Sequence, residues 1–252
     1  RSVSRGLGDV YKRQDFSLRC SLYSCTIGTE KRIIIDINSD VGEIDRLLDD
    51  GTYRSIFKYI NSANIACGGH AGDSDMMKRM VDLSLENNVK IGAHPSYPDK
   101  ANFGRIRVEI EHNELFDAIC NQIQSLIDIA SKNNISFVKP HGALYNESVN
   151  DSDLSQIIVD AILSFDLNLT VVGLAGSKLI ETSEKNKLST LLEAFADRTY
   201  NSDGTLRNRK HSDALIIDPK QAANQAYAIS IGYIESYENK IVNIEAETIC
   251  IH

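Results

Sequence analysis

The chain has 252 residues, 42% of them hydrophobic, with a formal charge of -8 and an isoelectric point near 5.3. That length suits one large domain with an ample core, and the acidic balance, without a run of Lys and Arg to neutralise phosphates, excludes a nucleic-acid partner. No apolar run reaches membrane-spanning length and no signal peptide is readable, so a cytoplasmic location is expected. Cys20, Cys25, Cys67, Cys120 and Cys250 form no CxxC pair, which suits a reducing compartment and argues against a thiolate zinc site.

The opening RSVSRGLGDVYKRQ carries Arg1, Arg5, Lys12 and Arg13 without apolar periodicity. Residues 1–30 therefore read as a non-native or disordered leader, and 31–252 as a single catalytic domain. Ile33-Ile34-Ile35 predicts a buried strand, which runs into Asp36, Asn38, Asp40 and Glu43, acidic and amide groups that are costly at a strand end unless they bind something. Ala63 to Cys67 predicts a second strand, with Gly68 and Gly69 turning the chain to present His70 before a helix from about Ser74 to Asn88. In that helix the methionines fall at core spacing.

Val89 to Ala93 predicts a third strand leading to His94-Pro95, and Ile135 to Val138 a fourth leading to Lys139-Pro140-His141. Three of the four prolines, Pro95, Pro98 and Pro140, stand beside these histidines and stiffen the backbone that carries them. Between these strands, Leu115 to Ala130 gives the clearest amphipathic helix. Further helices are expected near Leu154–Phe165, Lys178–Lys187 and Asp218–Gly232, with strands at Leu169–Leu174, Leu191–Ala196 and Ala214–Ile217. The polar loop Tyr200 to Asp213, with Arg207 and Arg209, has the length of a lid or binding loop. Alternation repeated about eight times implies a parallel α/β barrel with its chemistry at the strand C-termini. The chain stops at His252, after the apolar ETICI, so a final covering helix is expected to be missing and an apolar groove to lie open.

Seven motifs occur in order: DINSDVGE, SANIACGGHAGD, GAHPSYPD with NFGR, VKPHGALYN, VGLAGS, EAFADRTY and DGTLRNR. Together they resemble the LamB/YcsF family from about Ile33 to His252. The resemblance implies a TIM-like (β/α) barrel of the glycoside hydrolase/deacetylase type, C-terminally truncated here. It also implies a component of an ATP-dependent 5-oxoprolinase that works with two partner subunits to open the lactam of 5-oxoproline into glutamate. On that reading Asp36, Asp40, Glu43, His70, His94, Lys139 and His141 are the catalytic candidates, with Lys139 facing developing negative charge. Arg198 or Arg209 would anchor the substrate carboxylate, beside Asn38, Asn64, Asp73, Glu193 and Asp197. ATP is the co-substrate, without a P-loop in this chain. A divalent metal is the open cofactor question, with His70, His94 and His141 as ligand candidates. The rival reading is a metal-dependent deacetylase-like hydrolase; a third is a subunit that binds substrate for catalysis elsewhere.

Overall fold

The computed structural model describes residues 35–252; the expected leader, and Ile33 and Ile34 of the expected first strand, lie outside the described residues. In chain order the elements are β1 (Asp36–Val41), α1 (Asp45–Asp49), α2 (Thr52–Ile56), β2 (Ser62–Ala66), α3 (Ser74–Asn87), β3 (Lys90–His94) and α4 (His112–Ala130). There follow β4 (Ile135–Val138), α5 (Gly142–Ser148), α6 (Ser152–Leu163), β5 (Thr170–Leu174), α7 (Lys178–Lys185) and β6 (Thr190–Phe195). The last are α8 (Pro219–Ser230), β7 (Tyr233–Glu235), β8 (Ile241–Asn243) and β9 (Thr248–Cys250). Strands β1 to β6 and β9 close a parallel barrel, β9 returning to pair with β1, while β7 and β8 form a separate antiparallel hairpin.

Three expectations change. The acidic run after Ile35 is itself a strand: in β1, Asp36, Asn38 and Asp40 share one face and Ile37, Ser39 and Val41 the other, as the two-residue period of a strand requires. The polar face turns inward, where Asn38 is buried and bonded to Thr248 of the neighbouring β9, and Val41 joins the layer between sheet and helices. Ala214–Ile217 is not a strand. Leu215 makes only an isolated bridge to Arg198, and Ile217 is 86% exposed, so the run finds no sheet to bury it. The barrel consequently has seven strands, not eight.

The third change concerns β9, whose outer residue Ile249 is buried in a cluster with Ile229 of α8, Ile234 of β7 and Ile244. The hairpin, unforeseen because its strands are only three residues each around an Asn239 turn at φ +57°, supplies the cover expected from a further helix. The main core lies between the strands and α3, α4, α6 and α7. There Ile65, Ile91 and Val138 meet Met80, Ile119, Ile123, Ile158 and Leu179, the apolar stripes that the helical periodicity marks.

Inside the barrel, the register shifts between Ile91 and Gly92, and the Phe137 ring lies against Gly92 so closely that a Cβ there would come within 2.0 Å of it. Gly92→Ala is therefore expected to destabilise by about 1–3 kcal/mol through overpacking, which thermal melting reads as a fall of roughly 2–4 °C per kcal/mol. Phe137→Leu in the same chain should recover part of it. An unchanged melting temperature in the single variant would show that the ring moves aside freely.

Candidate active site

On β1, β2, β6 and β9 the inward face of the barrel carries buried polar groups, which must satisfy one another. Asn38 Nδ2 donates to Thr248 Oγ1 at 2.7 Å, and Asn64 Nδ2 donates to Asn38 Oδ1 and to Asp40 Oδ1, both at 2.7 Å. Above them lies the ammonium of Lys139, 2% exposed, 3.1 Å from Asp40 Oδ1, 2.9 Å from Glu193 Oε1 and 3.2 Å from Cys250 Sγ. Burial pulls the Lys139 ammonium down, but Asp40, Cys250 and Glu193 outweigh it and hold the group well above its ordinary value. Burial likewise pushes Asp40 up, and the neighbouring His94, Lys139 and His252 together hold it well below the usual carboxylate range. Lys139 is thus fully engaged by its neighbours. Its expected role as a free charge facing substrate gives way to one of holding Asp40 and Glu193 in place.

At the C-terminal end of β2, β3 and β4 three histidines meet. His70 and His141 stack with ring centroids 3.6 Å apart, and His94 stands edge-on to both. The strand ends carry them, and the loops lock them. Gln122 of α4 accepts from Ser96 N at 2.9 Å and donates to Ser96 O at 2.8 Å, and Pro95 O accepts from His141 N at 2.8 Å. Gly104, at φ +61°, lets the NFGR loop press down until a Cβ there would lie 2.8 Å from His70 Cβ.

The hydrogen bonds fix the tautomers. His94 Nδ1 donates to Lys139 O at 2.7 Å, and His141 Nε2 donates to Phe103 O at 3.0 Å. His94 Nε2 and His141 Nδ1 then face each other, both with lone pairs, at 2.9 Å. Glu43 Oε1 lies 3.3 Å from His141 Nδ1 and 3.0 Å from His70 Nε2, while Asp40 Oδ2 lies 3.2 Å from His94 Nε2. His70 Nδ1 is buried without a hydrogen-bond partner among the described residues. Burial pushes His70 below the ordinary imidazole range against the pull of Glu43, and pushes His141 well below it. Lone pairs this close require a cation between them, a proton or a metal. The donor set of Glu43, His70, His94 and His141 fits a divalent ion of the zinc type, with backbone carbonyls orienting two of the rings from behind.

These groups floor a cavity of about 780 Å3 that opens between the 102–110 and 200–213 loops. Asp40, Glu43, His94, Lys139, His141, Arg198 and Arg209 line it. Glu193 and Asp197 stand immediately behind, Asp197 Oδ2 accepting from His252 Nδ1 at 2.8 Å. Asn38 and Asn64 lie in the layer below, bracing Asp40. Two expected members are elsewhere. Asp36, four residues before Asp40 on one strand and so roughly 13 Å below it, bonds Ser62, Lys90 and Thr248 at the opposite end of the barrel. Exposed Asp73 caps α3 by accepting from Met76 N at 2.8 Å. Arg198 lines the cavity but spends Nη2 on Arg207 O at 2.8 Å and Nε on Ala214 O at 3.3 Å, so it pins the 200–213 loop.

A LamB/YcsF family profile matches residues 35–252. The chain belongs to the LamB/YcsF family. Its relatives include the A-subunit of 5-oxoprolinase from Chloroflexus aurantiacus, 44% identical over 223 residues, which span 87% of this chain and 88% of that one. The corresponding 5-oxoprolinase A-subunit of Shouchella clausii is 44% identical over 221 residues, 86% of this chain and 87% of the other. Among solved structures, the lactam utilization protein from Thermus thermophilus superposes with a TM-score of 0.79 at 34% identity, over 86% of this chain and 90% of that one. This LamB/YcsF barrel also has site residues that pattern reading missed. His252 bridges Asp197 and Asp40, its Nε2 2.9 Å from Asp40 Oδ2, and Cys250 touches Lys139. Burial pulls His252 down, but Cys250, Asp40 and the bond to Asp197 hold it well above the ordinary imidazole value. Burial pushes the Cys250 thiol up to about 11. The signal for both in the sequence is the period of β9, which puts Thr248, Cys250 and His252 in step.

Removing one partner of a buried ion pair strands the other. Lys139→Met is expected to cost about 3–5 kcal/mol of stability at neutral pH, measured by urea unfolding. Adding Glu193→Gln should recover part of that loss. A single variant as stable as the parent would mean that the two carboxylates do not depend on the ammonium.

Proposed function

We propose that this chain is the ring-opening component of an ATP-dependent 5-oxoprolinase, hydrolysing the lactam of 5-oxo-L-proline to L-glutamate in a complex with two partner subunits. The names of its relatives support the reading. The observation that carries it is the meeting of Glu43, His94, His141 and His252 in the lining of one cavity. Opening an amide needs a base for the attacking water and an acid for the departing nitrogen. Glu43, with a side chain 12% exposed, stands at the water side and takes the proton. His252, held cationic by Asp40 and Asp197 and 31% exposed, gives one to the nitrogen. Lys139 keeps Asp40 ionised and aimed at His94 and His252. A divalent ion held by His70, His94 and His141, with Glu43 beside it as the base, would supply Lewis acidity and a water of lowered pKa.

That same ligand set favours a second reading, an ATP-independent metal-dependent amide hydrolase. The two part on one experiment. The chain reconstituted with its two partner subunits should form glutamate from 5-oxoproline with matching ADP release, and the chain alone should form little. His252→Gln should lower turnover by about a hundredfold or more, as loss of an acid-base group does, with the complex still assembled. Turnover by the isolated chain with added zinc and no ATP would establish the second reading instead.

A further inference from the structure

The floor of the cavity is rich in carboxylates, but its mouth is cationic, in a chain whose net charge is -8. Arg105, Arg107, Arg198, Arg207, Arg209 and Lys210 all line it. Three of these are accounted for. Arg198 is spent on loop carbonyls, Arg207 lies 2.7 Å from Asp213 and over the Tyr237 ring, and Arg107 lies 3.7 Å from Glu147. Arg105, Arg209 and Lys210 have no carboxylate within ion-pair distance among the described residues. Arg105 approaches Arg209 closely enough that burial and this second charge hold the Arg209 guanidinium below its ordinary value. Like charges gathered without a counterion raise the energy of the empty mouth, and a bound anion relieves it.

A monocarboxylate such as 5-oxoproline satisfies one guanidinium bidentately and leaves the other two cations unpaired. Size points the same way. A cavity of about 780 Å3 is in the range that holds drug-sized ligands, about 300–1,000 Å3, and one five-membered lactam fills little of it. We propose that Arg105, Arg209 and Lys210 form a subsite for a phosphoryl group, placed above the histidine floor so that a phosphorylated substrate or the phosphates of a nucleotide lie across the mouth while the amide reaches Glu43 and His252. The inference deepens the proposed ATP-coupled activity and rests on it for the identity of the molecule bearing the phosphoryl group. Guanidinium and ammonium donors suit that group because phosphate oxygens accept several charge-assisted hydrogen bonds at once.

Calorimetric titration of the whole chain at fixed ionic strength and neutral pH tests this, with sodium phosphate, sodium acetate and the β,γ-imido analogue of ATP as probes. Phosphate should bind about tenfold or more tightly than acetate, and Arg105→Met with Arg209→Met should remove that advantage, as loss of charge-assisted bonds does. Acetate binding should weaken far less than phosphate binding, and the melting temperature should stay as in the parent. If the imido analogue displaces phosphate and binds more tightly, the subsite takes nucleotide phosphates; if it leaves phosphate in place, the phosphoryl group is borne by the lactam. Phosphate binding no tighter than acetate, or equally tight in the double variant, overturns the subsite. Failure of the activity reading looks different, since a reconstituted complex that never forms glutamate removes that reading while the phosphate titration still decides the subsite.

Discussion

The structure depends on burying one ammonium among carboxylates inside a barrel. Lys139 sits 2% exposed between Asp40 and Glu193, contributed by β1 and β6, the two strands that flank β9. In most parallel barrels the interior is filled by branched apolar side chains. Here β1, β2, β6 and β9 turn Asn38, Asp40, Asn64, Glu193 and Thr248 inward, and their desolvation cost is offset by the bonds that link Asn38, Asp40, Asn64 and Thr248 and by the ion pairs of Lys139 with Asp40 and Glu193. The fold and the site are therefore one network. The lower layer of amides fixes Asp40, Asp40 fixes His252, the Lys139 carbonyl fixes His94, and the Lys139 ammonium holds the carboxylates charged.

Order at the top of the barrel follows from that base. The histidines are aimed by strand ends whose following residues are proline or are tied to α4 through Gln122, and their outer nitrogens are taken by backbone carbonyls. With the outward bonds of His94 and His141 assigned, their remaining nitrogens point at one another and lie beside Glu43 and Asp40, while His70 Nδ1 has no hydrogen-bond partner among the described residues. A site that leaves its lone pairs converging is prepared for a cation, and its neighbours His70 and His141 stay neutral because burial disfavours their charged form.

Much of this is legible in the sequence. Ile135–Val138 is the strand the β-branched and aromatic run predicts, and the helices α3, α4, α6 and α8 fall within a few residues of their periodicity. His70, His94 and His141 can be placed together because each follows an apolar strand. The failures share a cause. A polar inward face reads as a loop by composition, so the apolar Ile33-Ile34-Ile35 takes the strand and the acidic run reads as its end. Asp36 then falls with Asp40, although strand geometry puts it at the far end of the barrel. Short strands such as Tyr233–Glu235 carry too few residues for a period to declare itself. Ala214–Ile217 has the composition of a strand but no neighbour to pair with. The engagement of Arg198 by two carbonyls is a tertiary fact, and no local pattern encodes it.

The central claim is that locked tautomers leave His94 Nε2 and His141 Nδ1 bare and facing one cation position. Nitrogen-15 NMR of the histidine rings during a zinc titration addresses it directly. The account predicts that stoichiometric zinc shifts His94 Nε2, His141 Nδ1 and His70 Nε2, while His94 Nδ1 and His141 Nε2 keep their protons. Zinc that leaves these three nitrogens unmoved, or that shifts the carbonyl-bonded nitrogens instead, would contradict it.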